Sequence, residues 1–242
     1  KINFSFLRHI ISILAEQESD ELEKMSRKKS REQYNAQNRV PAPSDELTTH
    51  LERLRNVQTK YIDTIRYTNK GWKPRYYSLY FGIDCSDLQE YNMTRKEICK
   101  NYLEGIQWVY SYYIGENNCW SWYYHYTHGP FFSDIITSWK HINTDFKFKN
   151  DEPVKPFQQL MMVLPPESSH LLPEEYGKLM TSINSDILDF YPTDFRIDMI
   201  HKRQLWECTP FLPHINVKRL EKTIKDITLS SIEVDRNMNS SF

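Results

Sequence analysis

Apolar residues recur at helical spacing along most of the chain. Near the start they occupy positions i, i+3, i+4 and i+7, which form one face of a helix (Leu7, Ile10, Ile11 and Leu14). The strongest pattern covers residues 95–114 and stops at Gly115, which predicts a long helix. Further helices are predicted over residues 46–65, 75–81, 157–164, 174–182 and 218–227. The pattern therefore predicts a mainly α fold.

Proline-rich and polar stretches separate these helices. Pro41 and Pro43 lie among few apolar residues, so residues 35–50 are predicted to be a loop or linker. Prolines also recur over residues 153–173, where only short helices fit. We expect an irregular helical domain with long proline-rich and aromatic loops. Its predicted parts are an N-terminal helical segment at 1–34, the linker at 35–50, the main helical region at 51–230 and a polar tail at 231–242.

Composition and charge narrow the classes of function. The chain has 242 residues, which is enough for one large domain or two small ones. Its 31 Lys and Arg residues balance 32 Asp and Glu residues, so a nucleic acid would have to bind a local patch. An acidic run at 16–23 precedes a basic run at 24–31, which indicates either a solvated helix or a helix that contacts phosphates. No apolar run approaches the roughly 18 residues of a membrane-spanning helix.

Residues with metal-binding or nucleophilic chemistry are present, but their spacing suits neither role. The four cysteines form no Cys-x-x-Cys pair, so we expect reduced thiols of an intracellular protein and no zinc site. His125 and His128 lie three residues apart without a third ligand, and Ser133-Asp134 beside them lacks a nucleophile elbow. Capping and turn roles, rather than metal binding, are expected for four aspartates further along the chain, Asp186, Asp189, Asp194 and Asp198. No metal site and no catalytic residue is therefore predicted.

Aromatic residues concentrate in the segment 119–134, which reads Cys-Trp-Ser-Trp-Tyr-Tyr-His-Tyr-Thr-His-Gly-Pro-Phe-Phe-Ser-Asp. Flat rings of this kind fill the core of a large domain. They also stack unpaired nucleobases, because every base offers a π-face. Composition alone leaves both interpretations open and favours the core.

This segment is similar to the Ser-Trp-x-Trp-Tyr-Tyr-Pro-Tyr-His-Tyr-Ala-Pro-Phe-x-Ser-Asp signature of the XRN family of 5′–3′ exoribonucleases. Further matches follow in the family's order: Gly71-Trp-Lys-Pro-Arg-Tyr-Tyr-Ser-Leu-Tyr-Phe-Gly-Ile-Asp84, Tyr102-Leu-Glu-Gly-Ile-Gln-Trp-Val109, Lys155-Pro-Phe-Gln-Gln-Leu-Met161 and Asp189-Phe-Tyr-Pro-Thr-Asp-Phe195. Several motifs in order are more specific than any single one. The resemblance covers residues 70–222 densely.

Two matched segments depart from the family pattern. The family's Pro-Tyr-His-Tyr-Ala is His125-Tyr-Thr-His-Gly129 here. Its Asp-Leu-Asn-Gly-Lys turn is Asp198-Met-Ile-His-Lys202, without the Asn-Gly pair that favours a tight turn. Both departures concern loop geometry, and the paired tryptophans are retained.

The resemblance implies the second conserved, mostly helical region of an enzyme that degrades 5′-monophosphorylated single-stranded RNA from its 5′ end. This region would wall the active site and stack the entering base. The family's carboxylates for Mg²⁺ or Mn²⁺ lie in an N-terminal catalytic region, which nothing here resembles, and the chain begins with Lys1 rather than Met. We therefore expect a region of a longer protein, with RNA and that catalytic region as partners and with no nuclease activity of its own.

The resemblance also implies which residues contact RNA. The family stacks the 5′-terminal base on a tryptophan of this region, so Trp120 and Trp122 are the predicted stacking residues, and the sequence does not choose between them. Further candidate RNA contacts are Tyr124, Tyr126, His128, Arg75 and Lys155. Three other tryptophans, Trp72, Trp108 and Trp206, are expected in the core.

An alternative function is a non-catalytic RNA-binding or scaffold module derived from the same region. Catalytic acidic clusters in a reading frame upstream of Lys1 would favour the enzyme. The motifs lean to the nuclear branch of the family through Gly71-Trp-Lys and to the cytoplasmic branch through Phe157-Gln-Gln-Leu, with a slight overall lean to the nucleus.

Overall fold

The fold is mainly α, as predicted. A computed structural model describes residues 2–38, 46–116 and 119–238. Within them the α-helices are α1 (Phe4–Asn38), α2 (Glu46–Arg55), α3 (Trp72–Phe81), α4 (Leu88–Tyr113), α5 (Phe132–Trp139), α6 (Pro156–Val163), α7 (Glu174–Thr181), α8 (Val217–Ile224) and α9 (Ser231–Arg236). Short 3₁₀ helices cover Pro166–Leu171, Leu188–Phe190 and Leu205–Glu207. The strands β1 (Ile197–Asp198) and β2 (Thr209–Pro210) pair with each other.

The chain divides into two compact units, one of residues 1–150 and 198–209 and one of residues 151–197 and 210–242. The first unit has a cluster built on α3 and α4, comprising Ile65, Tyr76, Tyr77, Ile83, Tyr91, Ile98 and Phe131. A second cluster joins α1, α4 and α5 through Ile11, Cys99, Leu103, Ile135, Ile142 and Phe146. The core of the other unit consists of Phe157, Met161, Leu172, Tyr176, Met180, Ile187, Phe190, Tyr191, Leu220 and Ile224. Each unit thus buries an apolar core of its own.

Helix α4 is the long helix predicted from the pattern at 95–114, but it begins earlier, at Leu88. The carboxylate of Asp87 caps it by accepting hydrogen bonds from the backbone N–H groups of Gln89 and Glu90. The helix ends at Tyr113, before Gly115, which has a φ of 72°. Its buried residues belong to both clusters of the first unit, Tyr91 and Ile98 to one and Cys99 and Leu103 to the other. Because α4 is held in both clusters, it positions the segment that follows it.

Tertiary contacts override the pattern at two places. The helix predicted over 46–65 is α2, which ends at Arg55, because the following backbone pairs elsewhere: Asn56 bridges to Gln204 and the N–H of Val57 donates to the carbonyl of Arg203. Helix α5 was not predicted, and its first three residues belong to the segment 119–134, which was expected to be an aromatic loop. The predicted helix lengths were therefore wrong where backbone partners are distant in sequence.

The predicted domain boundaries fall close to segments that the structure leaves undescribed. Helix α1 continues to Asn38, past the predicted end at 34, while residues 39–45 of the predicted linker lie outside the described residues. Helix α9 occupies the start of the predicted polar tail, whose residues 239–242 also lie outside them. Of the helices that are described, none combines the length and apolar character that a bilayer crossing requires.

Candidate nucleic-acid interface

The aromatic segment leaves the end of α4 and runs to the start of α5. From Ser121 to His128, exposed and partly buried residues alternate with the period of two expected of extended backbone. The rings turned inward are those of Trp122, Tyr124, Tyr126 and His128. Trp120 precedes this run, and 52% of its surface is exposed. The structure thus distinguishes the two tryptophans that the sequence left equivalent.

Trp122 is held in a stack of rings that runs along α4. Its ring is stacked on that of Trp108, with centroids 5.6 Å apart and planes inclined by 25°, and meets Phe148 nearly at right angles. It also covers Gly105, where an added Cβ would lie 2.8 Å from Cη2 of Trp122. The stack continues from Trp108 to Tyr112, one turn later, at 5.6 Å and 8°. We call Trp122, Trp108 and Tyr112 the ring stack.

The ring stack is tied to the start of the aromatic segment. The indole N–H of Trp108 donates to the carbonyl of Cys119, at 2.9 Å. Further along, the backbone N–H of His125 donates to the side-chain oxygen of Asn101, which is buried on α4. Because both anchors belong to α4, a rigid helix fixes the backbone on each side of Trp120 and Trp122.

Tyr124 and Tyr126 are packed against the helices. The hydroxyl of Tyr124 donates to the carbonyl of His128, at 2.8 Å, and its ring meets Tyr102 edge-on. Tyr126 packs against Phe81 of α3. Burial raises the pKa of the Tyr124 phenol well above its ordinary value, so this hydroxyl stays a donor. These candidate RNA contacts therefore also stabilise the segment.

His128 lies in a polar cluster with Tyr80 and Asp198. Its ring is stacked on Tyr80, with centroids 3.7 Å apart, and its Nε2 lies 3.3 Å from Asp198. The hydroxyl of Tyr80 donates to the same carboxylate. Burial alone would raise the pKa of Asp198, but the hydrogen bonds from His128, the backbone of Ile200 and Tyr80 together lower it. The carboxylate is therefore held ionised by a histidine that departs from the family pattern.

The second departure, His201, replaces the glycine of the family's turn. It has a φ of +60°, a left-handed conformation that costs a residue with a Cβ about 1–2 kcal/mol. Its Nε2 lies 3.1 Å from Asp63, and its ring contacts Tyr61 and Tyr67. These side-chain contacts hold the backbone in a turn that glycine would adopt without strain.

A buried ion cluster at the start of α5 was missed by sequence reasoning. Asp134 is only 3% exposed, and its Oδ1 lies 3.2 Å from Nζ of Lys73 and 3.3 Å from Nη1 of Arg95. The hydroxyl of Tyr77 donates to its other oxygen, at 2.9 Å. A buried carboxylate of this kind needs such partners, because desolvation of an unpaired charge is very unfavourable. The matched motifs around 71–84 and 119–134 contain three of these residues, but no sequence spacing indicates that they meet.

Glu18 of α1 completes this end of α5. Its carboxylate accepts hydrogen bonds from the backbone N–H groups of Phe132 and Ser133 and from the Ser133 hydroxyl, while Lys73 donates to that hydroxyl at 2.6 Å. Backbone donors at a helix N-terminus favour a negative charge. Ser133 and Asp134 therefore join the helices of this unit, and their contacts are not those of a Ser-His-Asp arrangement.

Arg75 and Lys155, the two basic candidates for RNA contact, differ in their surroundings. The Arg75 guanidinium donates to the carbonyls of Ile65, Arg66, Asn69 and Lys70, so it organises the loop before α3. Lys155 is exposed at the start of α6, where Gln158 accepts from its backbone N–H. Arg75 thus supports the fold of its loop, and RNA contacts by Arg75 and Lys155 stay predictions.

The remaining predictions concern core tryptophans and metal ligands. Trp72 and Trp108 are partly buried, whereas the prediction for Trp206 was wrong, because its ring is mostly exposed. Asp189 is paired with Arg219 at 2.8 Å. Within residues 2–38, 46–116 and 119–238, no group of three or more His, Cys, Asp or Glu side chains could hold a metal ion.

The fold and the aromatic segment together define a mainly helical, aromatic-rich region. The family model of the Xrn1 helical domain matches residues 6–241, and the chain belongs to this family of 5′–3′ exoribonuclease helical domains. The resemblance carried by the motifs is therefore confirmed.

Curated relatives agree with this assignment. The chain is 38% identical to "5'-3' exoribonuclease 2" of Candida albicans over 195 residues, which are 80% of this chain and 20% of the relative. It is 38% identical to the protein of the same name from Arabidopsis thaliana, over 72% of this chain and 17% of the relative. The corresponding protein of Gallus gallus is 38% identical over 68% of this chain. The chain thus spans about a fifth of the length of these relatives.

Proposed function

We propose that this chain is the helical wall of the active site of a 5′–3′ exoribonuclease, and that Trp120 stacks the entering base of a 5′-monophosphorylated single-stranded RNA. The observation that carries the proposal is the different placement of the two tryptophans. Trp122 is packed in the ring stack, whereas Trp120 exposes half of its surface beside a backbone anchored to α4. A ring presented on a fixed backbone suits a stacking contact, because little entropy is lost when the base arrives.

Hydrolysis of the phosphodiester bond would belong to another region of the protein. A divalent metal such as Mg²⁺ or Mn²⁺ would activate water and stabilise the leaving oxygen there. The most buried carboxylates of the described residues are already paired: Asp134 with Lys73 and Arg95, and Asp198 with His128. We therefore propose that this chain contributes shape and base contacts, that single-stranded RNA and the catalytic region are its partners, and that the isolated chain releases no nucleotides. Placement in the nucleus, towards which the motif at 71–73 leans, stays a prediction.

The proposal is tested by two alanine variants of the complete protein. Stacking of one base contributes roughly 1–3 kcal/mol, so Trp120→Ala should reduce affinity for 5′-monophosphorylated RNA about 5- to 150-fold with an unchanged melting temperature. Trp122→Ala should instead lower the melting temperature, because removal of a packed tryptophan costs about 3–5 kcal/mol.

Affinity and melting are measured on both variants, with RNA bound in chelator so that it stays intact. If Trp120→Ala binds and degrades RNA as the wild type does, Trp120 does not stack a base. If both variants also leave the dependence on a 5′ phosphate and the affinity unchanged, the segment has no part in substrate binding, and the assignment of this wall fails. Nucleotide release by the isolated chain would contradict the proposed division of labour.

A further inference from the structure

The ring stack ends in an exposed ring. Gly105, Trp108 and Tyr112 follow one another at about one helical turn, so the stack runs along the side of α4. Trp122 is stacked on Trp108 and contacts Gly105, and Tyr112, one turn after Trp108, is stacked on it as well. Trp108 is therefore the central member of the stack, whereas Tyr112 is its last member and exposes 52% of its surface.

The geometry of Tyr112 suits one more flat ring. Its plane is inclined by only 8° to that of Trp108, so its orientation is already fixed by parallel stacking. Tyr113 meets it edge-on, at 5.8 Å and 79°, and therefore does not stack on its face. An unpaired base placed on the outer face would extend the stack without reorganising it.

The position of Tyr112 relates it to the proposed RNA site. The indole of Trp108, on which Tyr112 lies, is bonded to the carbonyl of Cys119, the residue next to Trp120. The two exposed rings are thus joined by one indole and one peptide group, on the same end of α4.

We propose that Tyr112 forms a second stacking surface, which takes an unpaired nucleobase of the RNA other than the base stacked on Trp120. This proposal rests on the proposed function, because it requires the same single strand. It adds that the wall contacts at least two bases, and that the second contact is made by the outermost member of the ring stack.

The experiment uses the complete protein and 5′-monophosphorylated oligonucleotides that carry the fluorescent base 2-aminopurine at one position each, in chelator. The wild type should quench 2-aminopurine at two distinct positions. Tyr112→Ala should restore fluorescence at one of them and weaken binding about 5- to 150-fold. Tyr112→Phe keeps the ring and should behave as the wild type. Tyr34→Ala, which removes a comparably exposed ring on α1, is the matched control and should change neither signal.

Tyr112→Leu separates a base from a protein surface. Leucine keeps an apolar contact for a packed protein segment but offers no ring for stacking, so the proposal expects Tyr112→Leu to lose the signal as Tyr112→Ala does. Binding and quenching by Tyr112→Ala equal to the wild type would overturn the proposal, as would recovery of both by Tyr112→Leu. If Trp120→Ala loses a quenched position and Tyr112→Ala loses none, the proposed function stands and the second stacking surface does not. Unchanged signals in both Trp120→Ala and Tyr112→Ala would refute the two together.

Discussion

Gly105 provides the sharpest test of the ring stack, because it lies inside α4 where glycine normally weakens a helix. Replacement by alanine in an exposed helix interior stabilises by about 1 kcal/mol. Here the added Cβ would lie 2.8 Å from Cη2 of Trp122, which is too close for two carbon atoms without displacement. We predict that Gly105→Ala destabilises the protein despite the better helix propensity.

The magnitude follows from how little room the indole has. Trp122 is stacked on Trp108 and meets Phe148 edge-on, so it cannot move away from Gly105 without disturbing one of them. An overpacked methyl group costs about 1–3 kcal/mol, and the propensity gain offsets about 1 kcal/mol of that cost. The expected net loss is about 1 kcal/mol, or a melting temperature lower by roughly 2–4 °C in a protein of this size.

A double-mutant cycle with Trp122→Ala gives the decisive measurement. Once the indole is absent, Gly105→Ala keeps only the propensity gain and should stabilise by about 1 kcal/mol. The effect of one methyl group therefore changes sign between the two backgrounds, which is a coupling of about 2 kcal/mol by urea unfolding. If Gly105→Ala stabilises both backgrounds equally, the indole does not cover the glycine, and the ring stack as described is wrong.

Two further predictions concern polar side chains. Arg75→Lys should lower stability by about 2 kcal/mol in urea unfolding, because lysine cannot reach the four carbonyls that the guanidinium joins, and RNA affinity should not change; reduced affinity with unchanged stability would mean that Arg75 contacts RNA instead. For Asp198, the folded-state pKa is lowered, so its ionised form stabilises the fold above about pH 4 and that contribution is lost as pH falls through the folded pKa. Asp198→Asn should therefore unfold less steeply in acid than the wild type by circular dichroism, and equal slopes would contradict the role of the His128 contact.

The helices were predictable where their stabilising contacts are local. The apolar pattern that predicted α4 consists partly of residues that the helix buries in the core. Ile98, which belongs to this pattern, is fully buried. Val109 belongs to the same apolar pattern, yet nearly half of it is exposed, as are large parts of Tyr110, Tyr112 and Tyr113 in the last turns of α4. The start of α4 at Leu88 could have been predicted from the sequence, since Asp87 is a favourable N-cap residue.

The candidate site was predictable in its residue types and not in its geometry. The motif identified Trp120 and Trp122, but their different burial depends on Gly105 and Trp108, which lie on a separate element. A glycine inside a strong helical pattern is a usable signal, because it commonly marks a close packing contact. It does not indicate which ring makes that contact. The cluster at Asp134 was missed for a similar reason, since its partners come from α3 and α4, which are distant from Asp134 in sequence.

The two departures from the family pattern act on one turn. Asp198 starts that turn and is bound by His128, while His201 within it takes a left-handed conformation and is bound to Asp63. A histidine at each position thus supplies side-chain contacts where the family sequence relies on an Asn-Gly pair. Tyr80 of α3 contacts both His128 and Asp198, so this turn is linked to the half of the aromatic segment that precedes α5. The half that holds Trp120 is anchored separately, through Trp108 and Asn101 on α4. Substitutions at the turn should therefore alter stability without moving the proposed stacking surface.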